Sequence, residues 1–368
     1  MQKKDEQISF YYLRIIATIA VMMAHIAGWN WHNVNPNGHE WLTFNFYQSL
    51  ARFTIPVFVM MSGALFLPRE IDMKKIFSKN IVRMLTAFIF WTLVYTFFWD
   101  AIFFVLGKER EFSIRTAIPQ LIEGHYHMWY VLMMVGLYLC LPIMKHIVSN
   151  EKVMDYLLII AFIFLFAVPQ LLQMLMDFGT EPIGAVANSL KIAIDNISLD
   201  YGVGYSFFFI LGYKLNTVDI SKKQCRIIYA LGLTGFALSV LLNQLAAYVT
   251  GEACGTYYGT FTVNMLAWGV AVFVWFKKHV NPIEGKTHKI IENERVLAIA
   301  KKIAAYSFGA YLVHPLLLEI LAGNTIGLHS LTFNPILSIP VITLLVFAIS
   351  IMISGVINHI PILKKYIV

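Results

Sequence analysis

Residues 8–29 read ISFYYLRIIATIAVMMAHIAGW, an apolar run of 22 residues interrupted by Arg14 and His25. At about 1.5 Å per residue, a helix of that length crosses the hydrocarbon layer of a bilayer. A charged side chain inside such a span costs on the order of 2.5–3.5 kcal/mol on insertion scales, so it faces protein or water and usually has a task. Arg14 and His25 are eleven residues apart. Eleven steps of about 100° come within roughly 20° of three full turns. The two side chains therefore share one stripe, roughly 16 Å apart along the axis, with Thr18 and Val21 between them. One face of this helix carries a fixed cation at one depth and a titratable imidazole at another.

The composition agrees with a membrane setting. Of 368 residues, 58% are hydrophobic and 13% charged, and the mean hydropathy is +0.67. Soluble domains carry about 25% charge, so a polytopic membrane protein is expected. The net charge of +7 suggests nucleic acid only until the basic residues are placed. They fall in short loops on one side, as membrane insertion demands, and no nucleic-acid partner is expected. Cys140, Cys225 and Cys254 lie in different segments without Cys-x-x-Cys spacing, which supports neither a disulfide framework nor a zinc site. Lys3 and Lys4 ahead of an apolar run could open a signal peptide. The run, however, holds Arg14 and His25, lacks a small-residue cleavage site and precedes many more spans. An uncleaved first helix is the expectation.

Hydropathy marks ten spans, at about 8–29, 47–67, 81–106, 128–147, 153–173, 202–215, 227–249, 260–276, 304–321 and 335–356. The sixth, YGVGYSFFFILGY, is short and interrupted by glycine, so a tilted or re-entrant segment is expected there. Ten spans place both termini on one side. Of the 28 lysines and arginines, 22 fall on the ends and loops of that side, four (Lys108, Arg110, Arg115, Lys191) on the other, and Arg14 and Arg52 within spans. The imbalance assigns both termini to the cytoplasm. Arg14 then lies at the cytoplasmic depth with Arg83, and His25 at the outer depth with Arg52. The expected fold class is all-α, a single integral-membrane domain over residues 1–368 with no soluble domain attached. The loops near 30–46, 107–127 and 174–200 are rich in Trp, Tyr, His, Asn and Asp. Such residues suit sugars and also suit any interfacial loop. No internal repeat is visible, which counts against transporter folds built from inverted repeats.

Four patterns in order carry a resemblance: Arg14-x10-His25 in the first helix, RFTIPVFVMMSGALFL at 52–67, HMWYVLMMVGLYLCLP at 127–142 and SFGAYLVHPLLL at 307–318. Together they resemble the acyltransferase-3 family of integral-membrane acyltransferases, over essentially the whole chain. The likeness is to stand-alone members that modify surface polysaccharides, O-acetyltransferases of enterobacterial common antigen among them. The resemblance implies transfer of an acyl group, usually acetyl from acetyl-CoA as donor substrate, to a hydroxyl of a cell-surface or lipid-linked glycan. It also implies a multi-pass protein of a bacterial-type inner membrane, in contact with membrane lipid.

Moving acetyl from a thioester to a hydroxyl needs a base, a holder for the anionic donor and a stabiliser for the oxyanion. His25 is the expected base, on the chemistry of neutral imidazole and on its match to the family's essential histidine; a satisfied structural histidine is the rival reading. Arg14 and Arg83 lie at the depth where CoA phosphates would dock, and Arg83 serves equally well as a positive-inside anchor. Arg52 could polarise the thioester carbonyl, bind an acidic sugar, or form a buried ion pair with Asp100 or Glu123. His127, Trp129 and Tyr130 head the fourth span, where they could orient the acceptor or form an aromatic belt. His125 and His127 lack a carboxylate at helical spacing, so no metal is expected. Ser307, Tyr311 and His314 share a helix face beside Pro315, which removes a backbone bond and opens a kink toward the centre. They are expected to line the cavity, with core packing as the rival.

With the phosphates near Arg14, the donor's arm would cross roughly 15 Å to reach His25, the length of about four or five extended residues. Direct transfer is preferred to a relay through acetyl-His25. The alternative from another class is a transporter or flippase for a glycolipid or small anion, with Arg14 and His25 as an ion path; a third reading is a non-catalytic scaffold. The identity of the glycan, the acyl chain beyond a lean to acetyl, and homo-oligomer formation are left open by the sequence.

Overall fold

A computed structural model describes residues 8–70, 72–105, 113–199, 203–280, 293–323 and 326–367. The charges counted at Lys3, Lys4, Lys108, Arg110, Lys286 and Lys289 lie outside these residues. Among the described residues the fold is helical throughout: α1 (Ile8–Trp29), α2 (His39–Ala51), α3 (Thr54–Phe66), α4 (Met73–Val105), α5 (Ile114–Glu123), α6 (Trp129–Leu139), α7 (Leu141–Val148), α8 (Glu151–Phe178), α9 (Glu181–Asp195), α10 (Ser206–Thr217), α11 (Lys222–Thr250), α12 (Val263–His279), α13 (Glu294–Ala322), α14 (Pro335–His359) and α15 (Pro361–Tyr366). Helices α4 and α8 each contain a π-helical stretch, Ile76–Ile81 and Phe162–Ala167.

Eight segments are long and apolar enough to cross a membrane, and α6 with α7, bent by 58°, makes a ninth. Nine of the ten expected spans thus correspond to such segments. The sixth does not. Helix α10 has 12 residues, about 18 Å at 1.5 Å each, too short to cross alone. Phe207, Phe208, Phe209 and Ile210 on it are buried, so its apolar character serves protein contact. The expected loop at 174–200 holds the 15-residue α9.

Helix ends are set by short polar side chains, as unsatisfied terminal N–H groups require. Asn150, Thr262, Asn293 and Asn334 accept backbone N–H bonds at the starts of α8, α12, α13 and α14. Ser221 and Gln224 form a reciprocal capping box for α11. That helix stops at Gly251, whose φ of +72° suits glycine.

Helix α1 packs against α2, α3, α12, α13 and α14, so it is covered on several sides. A close backbone approach joins α3 to α10. A Cβ on Gly63 would stand 1.7 Å from the Phe209 carbonyl oxygen, and one on Gly212 would stand 2.1 Å from that of Met60. Reciprocal glycines let the two backbones touch, the usual route to tight packing where lipid offers no hydrophobic drive between helices. The largest cluster of buried residues runs from Leu13 and Ala17 on α1 through Val57, Met60 and Met61 to Phe207–Ile210.

Candidate functional site

A cavity of about 1000 Å³ opens along the polar stripe of α1. Arg14, Thr18, Val21 and His25 all line it, so the eleven-residue spacing does put cation and imidazole into one space. Arg52, Arg83, His127, Trp129, Tyr130, Ser307 and Tyr311 line it as well. His314 stands behind His25, fully buried, with ring centroids 5.2 Å apart.

At one end, Arg14 makes no side-chain hydrogen bond or ion pair among the described residues. Its electrostatic neighbours are the phenol groups of Tyr11, Tyr130 and Tyr138 and, with like charge, the guanidinium of Arg83. Arg83 also lies 5.8 Å from the Phe308 ring centroid. Lys364 and Asn358, from α15 and α14, line the same cavity. Two guanidinium groups and an ammonium around one space favour an anionic occupant.

At the other end, Pro315 removes one backbone hydrogen bond from helix α13. Proline has no N–H to give the Tyr311 carbonyl four residues back. His314 Nδ1 supplies that bond at 2.6 Å; a carbonyl only accepts, so Nδ1 carries the proton. The Tyr95 hydroxyl enters the same gap, accepting from the Leu316 N–H at 3.2 Å and donating to the Leu312 carbonyl at 2.8 Å. Tyr311 turns the other way and donates to the His127 carbonyl. These bonds orient His314 beside His25 and tie α13 to the turn before α6. Tyr126 meets the His25 ring edge-on at 5.2 Å. Among the described residues neither ring nitrogen of His25 has a hydrogen-bond partner, so the ring is held by packing and its nitrogens stay available to an occupant.

Arg52 follows α2 at the break before α3. Its Nε donates to Gln48 Oε1 at 3.1 Å, and Gln48 Nε2 donates to the Ala24 carbonyl at 2.8 Å. The guanidinium carbon sits 4.8 Å from the Tyr258 ring centroid. The partners considered from sequence, Asp100 and Glu123, are not the ones found: Gln48 and Tyr258 hold Arg52 without neutralising it. Gln48 approaches α1 at Gly28, where a Cβ would lie 2.6 Å from Nε2. The Arg52 charge is thus registered to α1 one residue before His25.

His125 and His127 join through their Nδ1 atoms at 2.9 Å. Although no carboxylate lies at helical spacing, Glu319 of α13 reaches His125 Nε2 at 2.9 Å. Sequence reasoning missed this carboxylate, and also Gln48, Tyr126, Tyr138, Trp31 and Lys364. Gln48 had a local signal, four residues before Arg52 on one helix face. Contacts such as His125–Glu319, 194 residues apart, leave no periodic trace in a single chain.

A family model described as an acyltransferase domain, of the type-3 acyltransferases, matches residues 8–355. No curated protein and no solved structure matches the chain significantly.

Proposed function

Because the chain belongs to the acyltransferase-3 family, with that domain over residues 8–355, and is an acyltransferase with a multi-pass helical fold, we propose that it moves acetyl from acetyl-CoA to a glycan hydroxyl on the far side of a bacterial-type inner membrane. One observation carries the reading: the continuous cavity that joins the Arg14–Arg83 end to the His25–Arg52 end along one face of α1. Counted over ten crossings, with the short α10 and the residues flanking it taken as one of them, the lysine and arginine imbalance supports a cytoplasmic Arg14 end. CoA phosphates dock at Arg14 and Arg83, and the pantetheine arm extends up the cavity by roughly 15 Å, which an extended chain of that length can do.

The chemistry then needs few groups. The glycan hydroxyl oxygen attacks the thioester carbonyl carbon while a ring nitrogen of His25 takes the hydroxyl proton. Arg52, charged and held by Gln48, faces the developing oxyanion. Collapse breaks the C–S bond, His25 returns the proton to the departing sulfur, and CoA leaves as the free thiol. Trp129, Tyr130 and His127 orient the acceptor, and Ser307, Tyr311 and His314 shape the wall behind it. No metal enters any step.

Purified protein incubated with radiolabelled acetyl-CoA and glycans extracted from membranes of the host cell tests the proposal. Label should appear on glycan, and His25→Ala should stop it. Intact thioester together with uptake of glycolipid into vesicles would favour a transporter instead.

A further inference from the structure

The carboxylate of Glu319 begins a chain of hydrogen bonds that ends at an unpaired nitrogen. Trp99 Nε1 donates to Glu319 Oε2 at 2.8 Å, and Glu319 Oε1 meets His125 Nε2 at 2.9 Å. His125 Nδ1 meets His127 Nδ1 at 2.9 Å. His127 is 1% exposed, and its Nε2 is buried without a partner among the described residues. Tyr95 stacks on His125 with centroids 4.1 Å apart and planes within 11°, which holds the middle ring flat in the chain.

Each shared hydrogen bond contains one proton, and the ends fix where the protons go. Indole N–H only donates, and an ionised carboxylate only accepts. A neutral His125 must then donate from Nε2 and accept at Nδ1. His127 must donate from Nδ1, which leaves Nε2 as a bare lone pair. The Leu312 carbonyl beside the ring takes the Tyr95 hydroxyl proton and has a second lone pair to offer, but an Nε2 that carries no proton has nothing to donate to it. We infer that Glu319, acting through His125, holds His127 in the Nδ1–H tautomer, so that His127 keeps an unpaired acceptor nitrogen for a hydroxyl of the acyl-accepting substrate.

Glu319 and His125 are then positioning residues, and they bring to the site what a metal-ligating histidine receives from its outer carboxylate. Among the described residues the buried lone pair has no hydrogen-bond partner, and a hydroxyl donor is the chemistry that satisfies it. This rests on the acyl-transfer reading above.

Glu319→Gln provides an isosteric test with a sign. Trp99 can only donate, so it claims the amide oxygen and turns the amide N–H₂ toward His125. Every proton in the chain then reverses, and His127 becomes the Nε2–H tautomer. Trp99→Phe in the same chain frees the glutamine to flip its oxygen toward His125 and restores the original order. Nitrogen-15 spectra of histidine-labelled protein in nanodiscs, with His127 assigned by substitution, read the tautomer without turnover. Titration with the host membrane glycan fraction, scaled by hexose content, reads the acceptor KM.

The expected result is Nδ1–H in the wild type, Nε2–H in E319Q and Nδ1–H in W99F/E319Q. The acceptor KM should rise about tenfold in E319Q and return to within about threefold of W99F in the double variant, with the acetyl-CoA KM unchanged. One tautomer in all three proteins, or a KM that ignores the switch, overturns the inference. A tautomer that switches in a protein without any acetyl transfer keeps the wiring and removes the acyl-transfer reading.

Discussion

His314 gives its Nδ1 proton to the Tyr311 carbonyl at 2.6 Å, and that oxygen is free because Pro315 offers it no N–H. A helix defect thus sets the orientation of the ring that backs His25. Pro315→Ala restores the missing donor and improves helix propensity by about 3 kcal/mol. The Tm of P315A should hold or rise while kcat falls about tenfold, the loss expected when a supporting ring turns away. Thermal unfolding and steady-state rates on one preparation check both parts.

His25 lies 5.2 Å, ring to ring, from both Tyr126 and His314, with no hydrogen bond to fix it among the described residues. His25→Gln should lower kcat by about 10²- to 10⁴-fold, the usual worth of a positioned base. Its Tm should stay within a few degrees of wild type, since no hydrogen-bonded network is broken. A large fall in Tm would mark His25 as a structural residue instead.

The stripe of α1 was legible because helix periodicity is local: the spacing of Arg14 and His25 alone places them on one face. The long apolar segments were legible for the same reason, since the hydrocarbon layer imposes a length. Less legible was α10, expected as a short tilted or re-entrant span, whose aromatic run is buried against α3 by Gly63 and Gly212. Hydropathy does not distinguish lipid from protein as the apolar neighbour. Of the roles considered for Arg52, the ion pair with Asp100 or Glu123 is not found among the described residues. The fold supplies an amide and an aromatic face, which leave the cation unneutralised and so available to an occupant.

Gly28 tests that arrangement. A methyl group there would press on Gln48 Nε2 at 2.6 Å, and the amide is the flexible end of a side chain. Gly28→Ala should therefore fold normally yet displace the group that holds Arg52. The expected outcome is a kcat reduced by about tenfold with an unchanged acetyl-CoA KM, by the signature of an interaction made in the transition state.

Arg14 should show the opposite signature. Arg14→Lys keeps the charge but loses the planar fork that pairs with phosphate. The acetyl-CoA KM should rise about tenfold while the acceptor KM stays fixed. Competition by free CoA, compared between wild type and R14K, separates donor binding from chemistry.

Gly63 supports the scaffold alone. Gly63→Leu would force a side chain onto the Phe209 backbone, where even a Cβ stands 1.7 Å from oxygen. Overpacking of this kind costs about 1–3 kcal/mol or more. The variant should lose stability in detergent, seen as a lower Tm and aggregation in size-exclusion chromatography, whereas Gly136→Ala, with open space around it, should not.

The central proposal is that donor and acceptor meet from opposite sides of the membrane through one cavity. Proteoliposomes of fixed orientation, with acetyl-CoA supplied only at the Arg14 face and host membrane glycans enclosed at the His25 face, measure this directly. Acetylated glycan should accumulate inside while acetyl-CoA stays outside. Transfer only when both substrates are placed on the same side would contradict the account.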